Sequence, residues 1–248
     1  MQNMKSKFLT GLVLLVTLSG CATTTPVIDE RDPWEGWNRK VHSMNESLDD
    51  YAMKPVAKAY RWVTPGFVDQ AITNVFSNID DIGVTINDVL QGKFSQSGLD
   101  FSRFIVNTTA GVAGLVDVAS MIDLEKHDED FDQTLGYWGV PSGPYIVLPF
   151  LGSSSARGVF GLLGDAAMDP TSYFTFYIPG STFYITASTN AVKYTDIRAD
   201  LLGSEATAEE ASVFGEYEFY RNSYISKRKF LVTDGAEGEA ENLLLNDD

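Results

Sequence analysis

The stretch "LGYWGVPSGPYIVLPFLG", residues 135–152, holds no charged side chain, in a chain of formal net charge -16. The uncharged run is wider still, from Gln133 to Ala156. Its length approaches the roughly 20 residues of a membrane-spanning helix. Gly136, Gly139, Pro141, Gly143, Pro144, Pro149 and Gly152 interrupt it, so it cannot be one continuous helix. A fold that contains it must shape it as an irregular aromatic loop and supply apolar surroundings.

The N-terminus says where such surroundings are found. Lys5 and Lys7 precede an apolar core from Phe8 to Leu18, and Leu18-Ser19-Gly20-Cys21 follows. A basic start, a short apolar segment and small residues before a cut make a secretory signal peptide over residues 1–20. The ending reads as a lipobox, so Cys21 is expected to carry covalent lipid and to begin the mature chain. Cys21 is also the only cysteine, which excludes an internal disulfide. Ala22 stands where Asp would favour retention in the inner membrane, and this points to the outer membrane. The expected organisation is a lipidated tether over 21–30, one helical domain over 31–233 and an acidic, disordered tail over 234–248. With the two signal lysines gone the charge is more negative still, which argues against nucleic acid and against polybasic adhesion to lipid.

Spacing along the domain predicts helices. Trp34, Trp37, Val41, Met44, Leu48 and Tyr51 recur at steps of three and four, with Asp32 as expected N-cap, Pro33 at the first position and Glu35 closing a capping box. Core packing is the expected role of that stripe. Val68, Ile72, Val75, Ile79, Ile82, Ile86 and Val89 form a second stripe that stops at Gly92, as one helix or as two broken near Gly83. Further helices are expected over 99–106, 110–122, 154–168, 186–202 and 208–230, the last from a Thr207/Glu210 capping box to Lys227, Arg228 and Lys229. Those three cations could meet phosphates, but solvation at the helix end is their expected role. No strand alternation stands out, so the class is mostly α with an irregular Gly/Pro/aromatic region.

Catalytic patterns are missing. His42 lies within the first helix and His127 in an acidic loop, neither beside a nucleophile pattern. "GSSSARG" from Gly152 lacks the G-x-S-x-G spacing and reads as a Ser-rich helix start. Asp128, Asp130 and Asp132 have calcium-loop spacing, yet Gln133 and Gly139 occupy the positions that need glycine and a bidentate acid. No enzyme activity, cofactor or metal is expected.

Six stretches, in order, resemble the MlaA (VacJ) family of outer-membrane phospholipid-trafficking lipoproteins. They are "DPWEGWNR" from Asp32, "LDDYAMKPVAKAY" from Leu48, "VLQGK" from Val89, "RFIVNTTAGVAGLVDVAS" from Arg103, "DFDQTLGYWGVPSGPYIVLPFLG" from Asp130 and "DIRADLLG" from Asp196. The resemblance implies a ring of amphipathic helices lying in the periplasmic leaflet of a Gram-negative outer membrane, with an amphipathic channel. It implies association with trimeric porins, and transfer of misplaced phospholipids to an MlaC-like periplasmic shuttle. The uncharged run is then the expected lipid path, with Tyr137, Trp138, Pro144, Tyr145, Ile146, Val147, Leu148 and Phe150 as lining residues. Two alternatives stay open: these side chains fill a core, or the protein is an adaptor that holds porins or a periplasmic partner and moves no lipid.

Overall fold

A computed structural model describes residues 29–173, 182–204 and 215–235, with backbone alone for 182–186. The signal peptide, Cys21, the tether up to residue 28, the Thr207/Glu210 capping box and the tail beyond 235 lie outside the described residues. The fold is mostly helical, and no described helix is long and apolar enough to cross a membrane.

The first helix, α1, spans Glu35–Leu48. It starts later than the expected Asp32 cap, because Trp34 occupies the N-cap and offers no side-chain bond. Asp32 is buried instead, accepting from Asn38 Nδ2 at 2.7 Å and from the Tyr217 hydroxyl. A π-helical turn at Asp49–Met53 leads into α2, Lys54–Val63, with Pro55 in the first turn of α2, where its missing N–H costs least. After Thr64 and Pro65, α3 runs unbroken through Gly83 as Gly66–Gln91 and ends at Gly92 in the left-handed conformation. It pairs with α4, Phe94–Thr109.

The expected helix over 110–122 shrinks to α5, Val118–Met121, capped by Asp117. Val112, Ala113 and Gly114 take positive φ, and a Cβ on Gly114 would press within 3.0 Å of Asn78 of α3. The small residues there serve a tight turn against α3, which composition alone reads as helix. Next comes α6, Phe131–Tyr137, capped by Asp130, whose carboxylate accepts from Gln133 N at 2.8 Å.

Within the uncharged run lies an antiparallel hairpin that sequence spacing did not reveal. Strand β1, Tyr145–Leu148, pairs with β2, Gly152–Ser155, placing Tyr145 opposite Ser155 and Leu148 opposite Gly152. Four continuous apolar residues opposite Gly-Ser-Ser-Ser carry no alternation to read. The remaining elements are α7, Ala156–Met168, a 3₁₀ turn at Pro170–Tyr173, α8, Thr182–Leu201, and α9, Glu216–Val232. Ser155 caps α7 by accepting from Gly158 N at 3.0 Å, so "GSSSARG" is a helix start.

Helix faces are inverted relative to a water-soluble domain. Along α3 the buried positions are Asn78, Asp81, Val84, Asn87, Asp88 and Gln91, while Ile86 and Val89 of the apolar stripe are exposed. Along α4 they are Ser97, Asp100, Arg103 and Asn107, with Phe94, Leu99, Phe101 and Ile105 outside. On α1, Trp34 and Trp37 are half exposed (49% and 56%), and of the expected core stripe only Val41 is buried. Among buried side chains of the described residues, polar ones far outnumber apolar ones. A small apolar core of Val41, Tyr145, Val147 and Tyr217, flanked by Tyr224, ties α1, β1 and α9 together.

Candidate functional site

Polar interiors need partners, and here the partners frame two cavities. The first, a chamber of about 580 Å³, is walled by five parts of the chain. They are α3 at Ile79, Asp80 and Asn87, segment 128–130 with Gln133, α7 at Leu162, Asp165 and Ala166 with the turn after it, α8 at Lys193 and Tyr194, and α9 at Lys227, Arg228 and Leu231. Its rim is held by polar bonds: Lys193 to Asp80 at 2.6 Å, Thr134 Oγ1 to Asn87 at 2.7 Å, and Phe131 N to Asp165 at 2.8 Å. The lining carries six carboxylates (Asp80, Asp128, Glu129, Asp130, Asp165, Asp169) against three cations. Burial pushes Asp165 up to about 6, against the bond from Phe131 N, and Asp130 and Asp132 nearby add to the rise.

The second cavity, an open cleft of about 860 Å³, lies between the start of the domain, the entry to the hairpin and α9. It is lined by Glu30, Arg31 and Pro33, by Ser142, Gly143, Pro144 and Tyr145, by Ser155 and Arg157, and by Tyr224, Ile225, Arg228, Lys229, Val232 and Thr233. Arg228 borders both cavities. It ion-pairs with Asp130 and lies 3.5 Å from Asp132, which in turn accepts from Arg157 Nε at 2.7 Å. Arg157 Nη1 also donates to Val140 O at 3.0 Å. A chain of alternating charges, buried at Asp132 and Arg157 and half-buried at Asp130 and Arg228, thus forms the wall between chamber and cleft.

The hairpin is fixed to α1 by two carboxamides one heptad apart. Asn38 donates to Tyr145 O at 3.1 Å and accepts from Val147 N at 2.8 Å. Asn45 donates to Leu148 O and accepts from Phe150 N, both at 2.9 Å. Each amide mimics a strand neighbour, so the outer edge of β1 is satisfied without a third strand.

The expected path residues separate into three groups. Tyr145 and Val147 are 2% and 1% exposed and belong to the apolar core, with Tyr145 also reaching the cleft. Pro144 lines the cleft, and Ile146 and Leu148 are half-buried. Tyr137, Trp138 and Phe150 are exposed, Phe150 by 75% at the hairpin tip, while Trp138 Nε1 donates to Leu90 O at 3.0 Å. None of the eight lines the chamber.

Comparison with known proteins places this architecture. The family model described as MlaA lipoprotein matches residues 30–231. The chain belongs to the MlaA lipoprotein family. The "Intermembrane phospholipid transport system lipoprotein MlaA" of Escherichia coli (strain K12) is 32% identical over 237 residues, covering 94% of this chain and 90% of that one. The protein of the same name from Haemophilus influenzae is 31% identical over 252 residues, covering 98% of each. A solved chain described under "Structural basis for maintenance of bacterial outer membrane lipid asymmetry" superposes with a TM-score of 0.69 at 33% identity, covering 81% of this chain and 98% of that one.

In this MlaA-family chain the site rests on residues that an apolar reading passes over. Tyr217, Arg221, Tyr224 and Arg228 recur at steps of four, three and four along α9, facing Asp32, the apolar core and the charged wall. That periodicity is visible in the sequence. The alternating Asp130 and Asp132 prove to be a helix cap joined to Arg228 and a buried partner of Arg157, respectively. Arg228 therefore has a carboxylate partner, beyond the solvation of a helix end that was its expected role. His42 packs against Tyr217 and Tyr220, and burial lowers its pKa, which favours the neutral ring. With Glu46, one turn on along α1, and Glu216, brought in by the fold, it forms a group of possible ligand atoms within 4.8 Å of one another.

Proposed function

We propose that this chain is an outer-membrane lipoprotein that maintains lipid asymmetry, drawing misplaced phospholipid from the outer leaflet through its charged chamber towards a periplasmic carrier. The observation that carries the reading is the inverted packing. Fully burying a large apolar side chain in place of water contact contributes roughly 1.5–3 kcal/mol. Trp34, Trp37, Tyr51, Trp62, Phe67, Phe94 and Phe160 forgo part of that on an isolated molecule and recover it against acyl chains. Helices with polar inner faces, none of those described both long and apolar enough to cross a membrane, suit a body lying within one leaflet. The relatives named above for intermembrane phospholipid transport, and the neighbour solved in connection with lipid asymmetry, support the same reading.

In this proposal Cys21 carries the lipid anchor, the body sits in the periplasmic leaflet beside a trimeric porin, and an MlaC-like shuttle receives the lipid. Phospholipid is cargo, and the protein performs no chemistry on it. Ala166 tests the route, because it lines the chamber from an exposed position on α7. Ala166→Trp should narrow the chamber, leave the helical circular dichroism and the porin complex intact, and raise outer-leaflet phospholipid in cells. Wild-type asymmetry in a folded Ala166→Trp protein would instead make the chain an adaptor.

A further inference from the structure

The cleft beside the chamber reverses the sign of the protein. The chain has 34 acidic and 18 basic residues, yet the cleft wall presents Arg31, Arg157, Arg228 and Lys229 against one acid, Glu30. These cations come from three separate parts of the chain, and only Arg228 and Lys229 belong to a basic run visible in the sequence. We propose that this cleft is the seat of the phospholipid phosphodiester after it leaves the chamber, a proposal that rests on the transport reading above.

Two features make the cleft suitable for that group. A guanidinium has five donors in a planar fork, and the carboxylates already bound occupy only part of each. Arg31 uses Nε and Nη2 on Asp29, Arg157 uses Nε and Nη2 on Asp132 with Nη1 on Val140 O, and Arg228 uses Nη1 on Asp130. Arg31 and Arg228 thus keep donors for phosphate oxygens, while their carboxylates hold the heads in place. Tyr145, Tyr224 and Val232 supply apolar wall beside the cations, which suits a headgroup that still carries acyl chains and does nothing for inorganic phosphate.

The charge difference also gives the lipid a direction. The chamber lining sets six carboxylates against three cations; the cleft lining sets one carboxylate against four cations, Arg228 counting in both. Arg31, Arg157 and Arg228 are each also paired to a carboxylate that does not line the cleft. Arg228, common to both walls, is the step between them. No energy-coupling motif is needed for such a bias.

The experiment uses the full chain in dodecyl maltoside, with phosphatidylglycerol and phosphatidylethanolamine in mixed micelles as probes and native mass spectrometry as readout. Arg31→Gln/Lys229→Gln removes two exposed cations of the cleft, and Lys40→Gln/Lys58→Gln removes two exposed cations elsewhere. The cleft variant should bind phospholipid about tenfold more weakly, the order expected for losing charge-assisted bonds. The control should match wild type, and both should melt like wild type. Unchanged binding in the cleft variant overturns the cleft assignment and leaves lipid transport standing. Wild-type protein that binds no phospholipid overturns the transport reading, and the cleft assignment with it. Millimolar inorganic phosphate that displaces lipid completely makes the cleft a free-anion site and overturns the lipid assignment.

Discussion

Two interfaces bury polar groups in this molecule, and they do so in opposite ways. Between α1 and β1, the neutral carboxamides of Asn38 and Asn45 match strand carbonyls and amides one for one. Between α3 and α4 the buried groups include neutral side chains such as Asn78 and Ser97, but also four charged ones: Asp81, Asp88, Asp100 and Arg103. There Arg103 Nε stands 3.8 Å from Asp81, and Asp88 has no hydrogen bond to either carboxylate oxygen among the described residues. An amide meets backbone geometry at any pH. A buried carboxylate that meets no neutral donor, as Asp88 does not, is satisfied only by a cation or a proton, so the second interface depends on its neighbours and on acidity.

Breaking the charged interface should give the largest effect. Arg103 is buried and also reaches Asp117 at 3.2 Å and Ser120 at 3.3 Å. Arg103→Met strands Asp81 with Lys126 alone and should cost about 3–5 kcal/mol, measured by chemical denaturation in detergent. On the amide side, Asn38→Leu leaves Tyr145 O, Val147 N and Asp32 each short of a partner. A loss of about 3 kcal/mol is expected there. Asn45→Ala, at a half-buried position, should cost about 1 kcal/mol. If Asn38→Leu proved harmless, the carboxamide clamp would not be what holds the hairpin.

The two interfaces should also separate on a pH axis. Burial, the facing Asp100 of α4 and the Glu129 charge push Asp88 up to about 8, against the pull of Lys93. The folded state then holds a proton that the unfolded chain releases near pH 4. Stability from this group therefore falls as pH rises from about 4 to about 8. Asp165, at about 6, adds to the slope over its lower half. Asp117 works the other way: burial raises it, but bonds from Ser120 and Asn107 hold it at about 2, so its contribution is lost only as pH drops below about 4. Asp88→Asn should flatten the melting temperature between pH 6 and 8 and raise it at pH 8. A wild-type midpoint that climbs from pH 5 to 8 would contradict the assignment.

These contrasts explain which parts of the fold could be read from residues alone. Helix existence was legible because steps of three and four survive any environment. The buried face was not, since Asn78, Asp81, Val84, Asp88 and Gln91 share the period of the apolar stripe on the other side of α3. Periodicity marks two faces and does not say which solvent each one meets. The hairpin hid in a continuous apolar run, and the 110–122 segment hid behind helix-like composition until packing against Asn78 imposed positive φ. At the site, the uncharged run drew attention to Tyr145 and Pro144, which reach the cleft. The charged wall of Asp130, Asp132, Arg157 and Arg228 is assembled from segments up to 98 residues apart and needed the fold.

The smallest expected effect on stability comes from the most conspicuous residues of α1. Trp34 and Trp37 are half exposed and contribute no described hydrogen bond from their side chains to the fold. Trp34→Gln/Trp37→Gln should therefore stay within about 0.5 kcal/mol of wild type in detergent, as surface positions do. Asn38, next to Trp37 in sequence but on the buried face, should cost several times more. In vesicles the ranking should reverse, because two tryptophans that meet acyl chains contribute to membrane binding and a buried amide does not. A tryptophan pair that destabilised the detergent-solubilised protein as much as Asn38→Leu would return the stripe to the core, and the inverted reading of α1 would fail.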